Sequence, residues 1–260
     1  MSRDMSYAAV MARKNEIMKS SLGIDFSIYE KSPVCFDYEK MMSDTGFTQE
    51  ELVRIQRETK VGDTPLFELR NLTEAVRNIS APGMGAMILL KDEAANASGS
   101  FKARRASISC YEAQRRGFAG VATATSGNYG AAVASQAAQR RLKCIVLQEV
   151  YDSHGVGQPE IVEKGRKCEA FGAEVHKLTV GPELFYCLLS TLEETGYFNA
   201  SLYTPFGIRG IETLGTEIAG QVRSRYHRDA DAVIVTHAGG GNLTGTARGL
   251  ITAGAAKTRI

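Results

Sequence analysis

The sequence predicts an α/β protein built on a doubly wound parallel sheet, and three observations carry that expectation. From about position 61 onward, short apolar runs alternate with amphipathic segments of about 10–16 residues. Clusters of Gly, Ser, Thr and Asn fall at the ends of those runs and ahead of the helices, where parallel sheets carry their working loops. A chain of 260 residues with 43% hydrophobic and 23% charged content is ordinary for a globular protein and long enough to bury a substantial core.

Taken in order, residues 1–60 read as a helical arm. Thr48-Gln49-Glu50-Glu51 fits a capping box ahead of a helix that runs to about Arg57. Residues 86–90 are expected as a buried strand followed by a helix over 101–116. Strand 120–125 and a small-residue helix over 128–140 come next, then strand 143–147 and helix 159–171. Strand 174–178 is followed by helix 182–194. A long helix over 208–223 leads to strand 232–236 and helix 242–255. Such alternation implies right-handed crossovers between parallel strands. Lys257-Thr258-Arg259-Ile260 follows a finished helix and reads as the opening of another strand. The C-terminal part of the large domain is therefore expected to be missing, to be completed by further polypeptide or lost with a fragment.

Composition excludes several function classes. The net charge is +2, from 31 basic and 29 acidic residues with no basic stripe, which argues against a nucleic-acid partner. Cys35, Cys110, Cys144, Cys168 and Cys187 are scattered, no two closer than 19 residues, so no metal-ligand spacing is present and reduced thiols are expected. No apolar run approaches the roughly 20 residues that cross a bilayer, and none near the N-terminus resembles a signal peptide. The expectation is a cytoplasmic protein with no membrane partner and no metal.

Three loops carry chemistry. Asn96-Ala97-Ser98-Gly99-Ser100-Phe101-Lys102 puts a lysine in the first turn of a helix, where the dipole disfavours a cation. The position makes sense if the amine is covalently engaged beside an anionic ligand; a solvated surface lysine is the plain alternative. Thr125-Ser126-Gly127-Asn128-Tyr129-Gly130 offers hydroxyls and backbone N–H groups to a carboxylate, or is an ordinary cap. His237-Ala238-Gly239-Gly240-Gly241-Asn242 is a nest of donors suited to a phosphate. It fails the dinucleotide fingerprint at Thr244 and the P-loop pattern at Thr246. An amine, a carboxylate cradle and a phosphate cup together are what pyridoxal phosphate carrying an amino acid requires.

Gly62-Asp63-Thr64-Pro65-Leu66, residues 98–102, 125–130 and 239–242 also resemble, in order and spacing, the tryptophan synthase β-like enzymes of pyridoxal phosphate fold type II. The resemblance runs from about residue 60 to the end. It implies two domains with pyridoxal 5′-phosphate in the cleft between them. Residues 1–60 are then the arm, 61–104 and 205–260 the large domain, and 105–204 a small mobile α/β domain. Lys102 resembles the Schiff-base lysine, and Asn128 the asparagine that meets the cofactor's ring hydroxyl. Thr125, Ser126 and Gly127 resemble the substrate-carboxylate loop, and Gly239, Gly240, Gly241 and Asn242 the phosphate loop. Tyr129 stands where threonine is common, which implies a reshaped substrate side. The residue that in this family faces the pyridine nitrogen has no counterpart up to Ile260.

The body resembles threonine synthase-like members, and the run Met5–Arg13 with the arm after it resembles the β subunits of amino-keto-acid thiolases of ornithine degradation. That second resemblance implies coenzyme A as co-substrate, a small α subunit as partner, and acetyl-CoA and alanine as products, in a homo-oligomer. A threonine synthase or amino-acid lyase of the same fold is the alternative reading, and a non-catalytic fragment the third. His237 and His154 are weaker candidates for the cleft, and Lys91, Asp92 and Glu93 are expected to shape a strand end.

Overall fold

The computed structural model describes residues 3–201 and 204–260. Its N-terminal arm is clasped to the body. Helices α1 (Tyr7–Ala12) and α2 (Lys14–Leu22) bury Val10 and Ile17 against Leu188, Leu189 and Leu192. Arg13 Nε and Nη2 grip Glu193 through a two-point ion pair at 2.9 and 2.8 Å. A small antiparallel hairpin of β1 (Glu30–Ser32) and β2 (Cys35–Phe36) leads to α3 (Tyr38–Ser43). Helix α4 (Gln49–Glu58) opens on the expected capping box: Thr48 Oγ1 accepts from Glu51 N, and Thr48 N donates to the Glu51 carboxylate.

The body holds a four-stranded parallel sheet in the order β7-β6-β5-β8. Strand β5 is Gly120–Thr125, β6 Lys143–Tyr151, β7 Glu174–Thr179 and β8 Phe198–Asn199. Helices α7 (Asn128–Gln139), α8 (Pro159–Ala170) and α9 (Glu183–Thr195) connect them. Strand β5 is buried at every position, as a central strand covered on both faces must be. Helix α7 can lie close to the sheet because Gly130, its third residue, has no side chain and Ala131 and Ala132 follow it. A Cβ at Gly130 would stand 2.7 Å from Thr125 Cγ2.

Two expected strands are not found as such. The run 86–90 does not enter the parallel sheet. Instead β4 (Leu89–Lys91) pairs antiparallel with β3 (Leu66–Glu68), with α5 (Arg70–Ile79) between them. The reason is local: Gly83 and Gly85 adopt φ of 76° and 94°, which breaks the extended path before Met87. The run 232–236 forms no strand either. Its backbone has one bridge, Ala232 to Arg259, and Ile234 is 97% exposed. β-branched residues make a strand only when a neighbour pairs with them.

Three helices form the other half of the core. Helix α6 (Lys102–Arg115) packs on α10 (Pro205–Tyr226), which packs in turn on α11 (Gly241–Thr252). These contacts are backbone to backbone. A methyl group at Gly210 would overlap the Arg104 carbonyl oxygen, one at Gly215 the Thr246 carbonyl oxygen, and one at Gly249 the Glu212 carbonyl oxygen. Gln56 of α4 ties two of the helices by donating to Gly210 O at 2.7 Å and Arg104 O at 3.2 Å. No helix among the described residues is long and apolar enough to cross a membrane.

Candidate active site

The N-terminal ends of α6, α7 and α11 converge on a cavity of about 720 Å³. Its wall includes Lys102, the turn Thr125–Tyr129 and the glycine turn Gly239–Asn242, so the cavity brings together the residues singled out in all three loops. Lys102 is the first residue of α6, half-buried, with Nζ 4.5 Å from the centroid of the Phe101 ring. Burial, then the charges of Arg105 and Lys164, hold its ammonium below the ordinary lysine range. More of the amine is therefore neutral and nucleophilic near neutral pH than in a solvated lysine.

The second turn is preformed. Thr125 Oγ1 accepts from Gly127 N at 3.0 Å, which curls the chain so that Asn128 opens α7. Ser126 is exposed, Gly127 and Asn128 are half-buried, and Tyr129 is 2% exposed. The third turn begins at Gly240, whose φ of 83° at the N-cap of α11 suits glycine. No protein atom occupies the space where a Cβ of Gly241 would lie. Asn242 spans the turn by donating to Thr236 Oγ1 at 3.3 Å, while its own Oδ1 is buried without a partner. Free backbone donors on a 12-residue helix, an unpartnered amide oxygen and a neutral-leaning amine form a set that pyridoxal phosphate fits.

Four wall residues had no part in the sequence reading: Tyr38 from α3, Arg105 from α6, Lys164 from α8 and Ile208 from α10. Arg105 was findable, since it lies one helical turn beyond Lys102. Tyr38, Lys164 and Ile208 arrive from distant segments and left no local signal. His237 is exposed, near the glycine turn, and His154 sits in an exposed turn held by Asp152 Oδ1, away from the cavity wall. Lys91 and Glu93 instead join a buried ion network with Arg104 and Glu217. Among the described residues no cluster of His, Cys, Asp and Glu could hold a metal.

Known proteins resemble this chain over most of its length. The family model described as pyridoxal-phosphate dependent enzyme matches residues 57–260. The chain is 65% identical over 255 residues to the 2-amino-4-ketopentanoate thiolase beta subunit of Acetoanaerobium sticklandii, covering 98% of this chain and 54% of that protein. It is 61% identical over 260 residues to a protein of the same description from an unknown prokaryotic organism, covering 100% of this chain and 55% of the relative. Among solved structures, a T.th. threonine deaminase aligns with a TM-score of 0.64 and 28% identity, over 79% of this chain and 61% of that one. The chain thus spans about half the length of the curated relatives it matches.

Proposed function

The chain belongs to the pyridoxal-phosphate dependent enzymes, and from that premise we propose that it carries the cofactor site of a 2-amino-4-ketopentanoate thiolase. The reaction would use coenzyme A to yield acetyl-CoA and alanine, with a small α subunit as partner and a homo-oligomeric assembly. The observation that carries the proposal is the placement of Lys102 between two helix N-termini, in a chain 65% identical to a thiolase beta subunit.

In this reading Lys102 Nζ holds the cofactor covalently, the Gly239–Asn242 turn holds its phosphate, and Asn128 meets its ring hydroxyl. Thr125, Ser126 and Gly127 orient the substrate carboxylate, and Tyr129 shapes the pocket beneath them. When bound, pyridoxal phosphate supplies an electron sink for the amino-acid skeleton. The thiol sulfur bonds to C4 of the substrate, the C3–C4 bond breaks, and the thiol's proton ends on C3 of the alanine formed. Lys102 Nζ, at the N-terminal end of α6 on the cavity wall, would carry a proton at that carbon. Residues 105–204, which include the whole four-stranded sheet, form the small domain, and its sheet with α7, α8 and α9 closes on the ligand.

Alanine formation from 2-amino-4-ketopentanoate should depend strictly on coenzyme A. Turnover without coenzyme A would favour the lyase or threonine synthase alternative. Asn128→Ala should keep the cofactor but shift its absorbance and slow turnover, since a hydrogen bond to a charged group contributes about 1.5–3 kcal/mol. An unchanged spectrum and rate would reduce Asn128 to the opening residue of α7.

A further inference from the structure

Charge beside Lys102 is balanced on one side and unbalanced on the other. Arg104 is fully buried and fully paired, with Glu93 at 2.7 Å and Glu217 at 3.0 Å. Arg105, the next residue, is 7% exposed, yet it has no hydrogen bond or ion pair with any described residue, and its Nε is buried without a partner. Its guanidinium lies 4.6 Å from the centroid of the Tyr129 ring. A ring face offsets only part of the cost of desolvating a cation.

The rest of the surroundings make that cost larger. Lys102 stands one turn earlier on the same helix with no acid among the described residues paired to it, and Lys164, whose ion pair is with the exposed Glu160 off the cavity wall, adds a partly balanced charge. A Cβ at Gly207 would lie 3.4 Å from Arg105 Nε, so the guanidinium also sits at the positive end of the 22-residue helix α10. No aspartate or glutamate among the described residues lines the cavity. A buried guanidinium among like charges, with no acid facing it, is completed by an anion that arrives from outside.

We propose that Arg105 is the receptor for the substrate carboxylate, acting with the Thr125–Asn128 turn, and is the residue by which the site demands an amino acid rather than a neutral amine. The proposal rests on the reading above that the substrate is an amino acid. Two features favour the carboxylate over the cofactor's phosphate. Arg105 packs on Tyr129, the second residue of the helix that the Thr125–Asn128 turn opens, whereas the glycine turn opens α11. A planar guanidinium also matches a carboxylate through two parallel hydrogen bonds, and the Tyr129 ring lies against it.

The test compares alanine with alaninamide, which differ in the carboxylate alone, as ligands of the intact protein loaded with pyridoxal phosphate. Calorimetry should give the wild type a preference for alanine of about tenfold to a hundredfold. In Arg105→Met the two ligands should fall within about threefold of each other, while pyridoxal phosphate affinity is unchanged. The ligand-free Arg105→Met protein should also unfold at a higher temperature than wild type, because an uncompensated buried charge has gone. A variant that keeps the preference but loses cofactor affinity would make the phosphate its anion and overturn the assignment. So would a wild type that binds both ligands equally, or a variant that unfolds earlier and keeps the preference. Coenzyme A-dependent alanine formation is scored separately: a protein that discriminates acid from amide without thiolysis keeps Arg105 and loses the thiolase reading.

Discussion

Lys102→Ala should leave the protein unable to retain pyridoxal phosphate through borohydride reduction, and turnover should fall by at least about 10²–10⁴, the range for a lost positioned proton carrier. Lys164 is the other lysine on the cavity wall, but it is committed to an ion pair with Glu160. Lys102 has the buried stem and the repelling cations that favour the neutral amine. Peptide mapping of the reduced protein is the direct measurement. Label on Lys164 or any other lysine would displace Lys102 from its role, whatever the activity of the variant.

Arg104→Met should destabilise the fold by about 3–5 kcal/mol, the usual cost of removing one partner from a buried ion network. Arg104 Nε and Nη2 reach both oxygens of Glu93, and Nη1 reaches Glu217 and Thr213 Oγ1, each at 3.0 Å. Glu217 also pairs with Lys91 and accepts from Asp63 N and Thr64 N. One cluster thus joins the start of α6, the Gly62–Leu66 loop, the end of β4 and the middle of α10. Burial alone would raise the Glu217 carboxyl, but Arg104 and Lys91 overrule it and hold the group below its ordinary value of 4.5. A depressed folded-state value means the contribution is complete above about pH 4.5 and is lost as pH falls through the lower folded value. Urea unfolding at neutral and acidic pH checks both points. Wild type should lose stability on acidification, and Arg104→Met should start lower and lose less. Equal midpoints for the two proteins at neutral pH would sink the argument.

Three strands of the central sheet were legible because β5 and the middle of β6 are buried runs, β7 intersperses half-buried with exposed positions, and the helices between them are amphipathic, patterns that do not depend on distant partners. Gly120–Thr125 is found where expected, and the helices differ only at their ends. The runs 86–90 and 232–236 were misjudged because a strand is a relation between two segments, and neither run states its partner. The three loops were legible since glycine and hydroxyl residues at helix starts have few other uses. Arg104 and Arg105 show what was not. Side by side on one helix they look alike in sequence, and only the fold gives one of them two carboxylates and the other none.

The glycine contacts among α6, α10 and α11 have a consequence for the cavity's dimensions. Lys102 starts α6, and the Gly239–Asn242 turn starts α11. The span between amine and turn is therefore set by main chain seated on main chain, through Gly210, Gly215 and Gly249 on and against α10. Side-chain spacers between helices can change rotamer, swell or be replaced by larger residues, and the gap they bridge drifts accordingly. Carbonyl oxygens resting on α-carbons have no such freedom. The three helices behave as a gauge block: the aperture that a ligand must match is machined into the backbone, and drift elsewhere in the surface sequence leaves the measurement unchanged.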